Sequence, residues 1–129
     1  AIVICTGGGG IPVVSSGEDG YTGIEAVIDK DLAAGLLAKE LSADLFIMAT
    51  DVKGVYLNRG TEDEILIGDT TPRFLENYSF PPGSMGPKVE AACSFVKTTG
   101  KTAAIGSLED IAEIAAGRAG TIVRPEGAE

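Results

Sequence analysis

The sequence predicts an α/β domain in which a mostly parallel sheet carries helices on its faces. Three observations predict it. Short runs of buried-type residues recur along the chain, helical apolar stripes lie between them, and glycine, proline or capping residues punctuate the joins. Strands that alternate with helices are joined by crossovers, and crossovers give parallel neighbours.

The elements follow in order. Ala1-Ile2-Val3-Ile4-Cys5 reads as a buried strand that runs into Gly7-Gly8-Gly9-Gly10. A buried strand with no lead-in suggests a fragment of something longer, with its sheet neighbours missing. Residues 11–14 and 23–28 read as extended pieces about the turn Ser16-Gly17-Glu18-Asp19-Gly20, a hairpin. Asp29 caps a helix over about 30–41, whose stripe is Leu32, Ala33, Leu36, Leu37 and Leu41. Residues 45–49 form the next buried strand, and 54–57 and 65–67 two short ones. Thr71-Pro72 opens a short helix through about Tyr78, with proline in the first turn where its missing N–H is harmless. A helix over about 86–98 buries Val89, Ala92, Cys93 and Val96, and Gly100 stops it. Residues 103–105 are a strand, Ser107-Leu108-Glu109-Asp110 starts a helix through Ala116, and Thr121-Ile122-Val123 is the last strand.

At 129 residues with 44% apolar content, the chain is one domain able to bury a core. Its 19 acidic and 10 basic residues leave a net charge of -9, which argues against nucleic acid or an anionic membrane surface as partner. There is no histidine, which excludes Ser-His-Asp chemistry, Cys-His chemistry and histidine-ligated metal within the chain. Cys5 and Cys93 are far apart and lie in apolar surroundings; they read as reduced, buried thiols of a cytoplasmic protein. No apolar run is long enough to span a membrane.

Three places hold candidate chemistry. Gly7-Gly8-Gly9-Gly10 follows a strand, where bare backbone is able to approach an anion; a flexible turn is the competing reading. Neither a dinucleotide fingerprint nor a Gly-Lys-Ser/Thr phosphate loop is present. Lys30 and Lys88 each sit in the first turn of a helix, where the backbone dipole disfavours a cation by roughly 0.3–1 kcal/mol. Either both are solvated, or both converge on a polyphosphate. Asp31 suits the dipole as a capping acid and could also orient a lysine or reach a metal. The turn from Thr50-Asp51 to Val55-Tyr56 follows a strand end and offers a place for a base, or is a plain turn with Tyr56 half-buried.

Taken together, these segments resemble the carbamate kinases of the amino-acid kinase superfamily. The resemblance rests on five colinear segments: 6–13, 23–33, 50–58, 83–91 and 105–110. Their order matches the second half of that family and covers essentially the whole chain. Ile28-Asp29-Lys30-Asp31 and Ser84-Met85-Gly86-Pro87-Lys88 are the most family-specific forms. The resemblance implies a three-layer α/β/α sandwich. It also implies reversible, Mg2+-dependent phosphoryl transfer between carbamoyl phosphate and ADP, giving ATP and carbamate, within arginine metabolism. It places Lys30 and Lys88 on the phosphates, Asp31 as their organiser, and Asp51, Val55, Tyr56, Met85 and Pro87 around the adenine and ribose. It sets Gly7, Gly8, Gly9 and Gly10 toward the carbamoyl phosphate.

The family's first Gly-Gly-Asn phosphate loop and a further lysine belong to its N-terminal half and have no counterpart in this sequence. The chain alone is therefore expected to bind ATP or ADP weakly and to turn over little, with a homodimer or a complementing N-terminal half as partner. The alternatives are a non-catalytic nucleotide-binding module and a superfamily enzyme with another acceptor.

Overall fold

The computed structural model describes residues 1–5, 7–17 and 20–127. A small antiparallel hairpin comes first, β1 (Val13–Ser15) with β2 (Tyr21–Gly23), closed by the Ser16 N–H donating to the Gly20 carbonyl at 3.0 Å. Glu18 and Asp19 of the expected turn lie outside the described residues, as does Thr6 at the head of the glycine run. Helix α1 (Lys30–Glu40) follows, then β3 (Leu45–Thr50). A satellite hairpin of β4 (Tyr56–Leu57) and β5 (Ile65–Leu66) stands apart from the main sheet. Next come β6 (Asp69–Thr70), the short α2 (Pro72–Leu75), the long α3 (Met85–Thr99) and β7 (Thr102–Ser107). A 3-10 turn leads into α4 (Ile111–Ala115), and β8 (Thr121–Val123) is the last strand.

Among the described residues the central sheet has the order β3-β7-β8-β6. β3 runs parallel to β7 in register Leu45 to Thr102 through Thr50 to Ser107, and β6 runs parallel to β8. β8 is antiparallel to β7, because the chain folds back through Gly117 and Gly120, both at positive φ. The sheet is thus mainly parallel, with one reversal that periodicity does not reveal.

β7 shows why the architecture has three layers. Ala103 and Ile105 join the core beneath α1 and α3, with Phe46, Phe95, Val96 and Val123. Ala104 points the other way and packs with Ile114 of α4 and Ile122. Successive strand residues face opposite sides, so a strand apolar at every position requires cover on both.

Two expectations are corrected. Residues 1–5 form no strand, Ile2 is 98% exposed, and Cys5, expected to be a buried thiol, is exposed with them. Their apolar composition is that of a strand, but no described strand lies beside them to complete the hydrogen bonds. The leucine stripe of α1 is not its buried face either: Leu36 is 56% exposed, while Asp31, Gly35 and Ala38 are buried. Those three are four and three residues apart, one face of a helix. The small face lets α1 approach α3 closely, since a Cβ on Gly35 would stand 3.4 Å from the Ala91 Cβ. The leucines instead line an open apolar groove with Ile11, Pro12, Val13 and Ile28.

Candidate functional site

The starts of α1 and α3 and the end of β3 meet at one place. Between them lies a cleft of about 260 Å³ lined by Asp29, Lys30, Asp31, Thr50, Asp51, Arg59, Gly83, Ser84, Met85, Pro87 and Lys88. Each wall has a local cause. Asp29 is the cap of α1, its Oδ1 accepting from the N–H of Asp31 at 2.8 Å and of Leu32 at 3.1 Å. That cap fixes the first turn and with it Lys30 and Asp31. On the facing wall, the Gly86 N–H donates to the Pro81 carbonyl at 2.8 Å. A Cβ on Gly86 would lie 2.9 Å from that carbonyl oxygen, so glycine is required where the 81–84 loop folds onto the start of α3.

Charge converges inside the cleft. Lys88 Nζ donates to Asp31 Oδ2 at 2.8 Å, and Lys30 Nζ stands 3.6 Å from the same oxygen. The Lys88 and Asp31 side chains are only 12% and 11% exposed, whereas that of Lys30 is 65% exposed. The buried pair excludes most water, so removing one partner would strand the other charge at a cost of about 3–5 kcal/mol. One carboxylate shared by two ammonium groups leaves a surplus of positive charge at the junction. Over the whole cleft, three aspartates face two lysines and an arginine, so an anion meets a balanced field in a chain of net charge -9.

A second crevice, of about 470 Å³, adjoins the first. It lies between the ends of β3 and β7 and is lined by Ala49, Thr50, Asp51, Ser107, Leu108 and Glu109, so Thr50 and Asp51 wall both spaces. Ligand sites in open α/β sheets fall at such carboxyl ends. The Thr50 hydroxyl donates to Asp51 Oδ1 at 3.1 Å and steadies that carboxylate.

The structure brings together six of the residues singled out from sequence: Lys30, Asp31, Lys88, Asp51, Met85 and Pro87. Others stand elsewhere. Val55 is fully buried in the core, its N–H donating to Thr121 Oγ1 and its carbonyl accepting from Ile67 N–H, both at 2.8 Å. Its side chain belongs to the main apolar core. Tyr56 is half-buried under Arg59, which lines the cleft in its place. Gly7, Gly8 and Gly10 have open space about them. Gly9, at φ +142°, packs against the chain entering α1, where a Cβ would lie 2.6 Å from the Ile28 carbonyl oxygen. The glycine run therefore borders the apolar groove through Gly9 rather than the charged cleft.

Sequence reading missed Arg59 and the crevice residues Ser107, Leu108 and Glu109; Thr50, in the turn it singled out, lines both spaces. Arg59 is a lone base in a turn, with no helix position to mark it. The crevice follows from β3 lying directly beside β7, which is tertiary information.

A mainly parallel sheet between helical layers, with two helix starts delivering lysines to a cleft at a strand end, defines an α/β protein whose charged cleft lies where open α/β sheets place their ligand sites. The sequence comparisons agree and narrow the class. Residues 1–107 match the model of the amino acid kinase family, and the chain belongs to that family. The carbamate kinase of Rhizobium meliloti is 53% identical over 125 residues, and that of Haemophilus influenzae 51% over 121. These matches take in 95% and 94% of this chain, and the chain spans 39% of the length of each relative. Among solved structures, the carbamate kinase of Giardia lamblia bound to AMP-PNP superposes with a TM-score of 0.87 at 37% identity, covering 92% of this chain and 43% of that one.

Proposed function

We propose that this chain forms the nucleotide-binding and charge-stabilising part of a carbamate kinase. The observation that carries the reading is the convergence of Lys30 and Lys88 on one Asp31 carboxylate, at the mouths of two helices. In the proposed reaction the bond between phosphorus and the carbamoyl oxygen breaks, and a bond to a terminal oxygen of ADP forms. Carbamate leaves with the electron pair, and ATP is the other product. Such transfer is driven by positioning and by stabilisation of charge on the moving phosphoryl oxygens, with no histidine base required. Lys88, held stiffly by Asp31, is the fixed donor to those oxygens. Lys30, largely exposed, is free to follow the phosphates. Asp51 and the crevice beyond it, with Met85 and Pro87, border the ribose and base.

The residues fit a magnesium ion that arrives on the nucleotide. Among the described residues no three acidic or thiol groups cluster as a metal cage, and the Asp31 carboxylate already receives Lys88. Asp51 leaves one carboxylate at the cleft, which suits an ion whose remaining shell is phosphate and water. When bound, the ion neutralises charge on the phosphate oxygens.

The test is an ATP-forming assay with carbamoyl phosphate and ADP. The 129-residue chain is expected to show little turnover alone and to gain it when supplied with the N-terminal portion of a carbamate kinase. ADP binding without transfer in the combined preparation would favour a non-catalytic module. Transfer to a different acceptor in a substrate panel would favour another enzyme of the family.

A further inference from the structure

We propose that Arg59 is a third cationic contact of the cleft, one that reads the polyphosphate of the bound nucleotide; this rests on the nucleotide reading above. Lys88 and Lys30 share Asp31, whereas Arg59 makes no ion pair among the described residues. Arg118 and Arg124, by contrast, are each paired with a carboxylate. Arg59 is thus the lining cation with no carboxylate partner among the described residues, and it adds to the surplus left where two lysines share Asp31.

Its position is braced. Asn58 and Gly60 on either side adopt positive φ, +51° and +82°, which turns the chain sharply between β4 and β5. The Thr61 hydroxyl donates to the Asn58 carbonyl at 2.8 Å, and the Gly60 N–H donates to Glu64 Oε2 at 2.8 Å. The guanidinium carbon lies 5.9 Å from the centre of the Tyr56 ring, within range of a cation–π contact. An arginine held at its turn and against a ring loses less freedom on binding than an unrestrained one. Its planar fork matches two oxygens of a phosphate chain, a geometry an ammonium group cannot reproduce. Lys88 and Lys30 approach from the helix starts and Arg59 from the satellite hairpin, so the three cations flank the cleft from different elements. The ligand class is a nucleoside diphosphate or triphosphate, distinguished from the monophosphate by the number of phosphates.

Calorimetric titration of the 129-residue chain with ADP, AMP, adenosine and pyrophosphate tests this. Arg59→Gln is expected to weaken ADP and pyrophosphate by about tenfold and to leave adenosine within about twofold, with Arg59→Lys recovering part of the loss. An equal loss for adenosine would mean that Arg59 stacks on the base, and would overturn the proposal. So would unchanged ADP affinity in a chain that binds ADP. If the unsubstituted chain binds no ADP at millimolar concentration, the nucleotide reading fails and this proposal fails with it. Arg59 is exposed at a hairpin turn, so its replacement leaves the core intact.

Discussion

Residues 1–5 and residues 103–105 have nearly the same chemistry and opposite fates. Both are runs of alanine and β-branched side chains, the first ending in Cys5. Ala103, Ala104 and Ile105 are fully buried, while Ile2 and Ile4 are almost wholly exposed. The difference is in the neighbours. β7 has β3 on one side, β8 on the other, α3 above and α4 below. Residues 1–5 have no described strand beside them. An apolar run states what a segment would bury if given a surface; the rest of the fold decides whether the surface exists.

Three experiments would break or sharpen that contrast. The largest effect is expected inside the packed region, at the buried lysine. Lys88→Met should lower phosphoryl transfer by about a thousandfold in the chain combined with a carbamate kinase N-terminal portion. Lys97→Met, whose partner Glu76 lies outside the cleft, should leave transfer near its original rate. Equal losses would mean that α3 contributes only overall charge.

The two thiols compare the regions with a single reagent. Cys5 is exposed, whereas burial pushes the Cys93 thiol up to about 11. The thiolate is the reactive form, so at pH 8 only about a thousandth of Cys93 is reactive. A disulfide reagent at that pH should modify Cys5 at least about a hundredfold faster. The Cys93 rate should climb steadily as pH rises toward 11. Similar rates at pH 8 would show that the cover over α3 opens as readily as the N-terminal segment.

The third experiment compares two isoleucines. Ile105→Ala deletes a side chain from the centre of the sheet and should destabilise the fold by about 2–5 kcal/mol. Ile4→Ala removes a side chain already in water and should change stability by no more than about 0.5 kcal/mol. Urea unfolding followed by circular dichroism measures both. A large loss for Ile4→Ala would mean that residues 1–5 pack against something in solution.

Much of the fold was legible because local signals sufficed. The cap at Asp29, proline in the first turn at Pro72 and the left-handed stop at Gly100 are all present, at the expected ends of their helices. Electrostatics marked Lys30 and Lys88 from sequence but left open whether they are solvated or converge on a polyphosphate; the structure brings both to Asp31, with Lys30 65% exposed. Two cations placed against helix dipoles require a reason, and Asp31 supplies it. The burial of α1 was not legible. Helical period groups residues by face, but it does not say which face will be covered. Here the partner helix selected Gly35 and Ala38 over the leucines. The reversal at β8 and the placement of Arg59 on the cleft wall were hidden for a related reason. Both depend on where loops carry the chain, and turn residues say that it bends more clearly than where it goes next.

The close contact of α1 with α3 has a consequence for ligand selection. Gly35 and Ala91 act as a spacer of minimal thickness between the two helices that present the lysines. Replacing this glycine with a bulky residue would wedge the helices apart and widen the gap between the helix starts that carry Lys30 and Lys88. The gauge of the opening is therefore set five residues along the helix from Lys30, by a residue with no side chain at all.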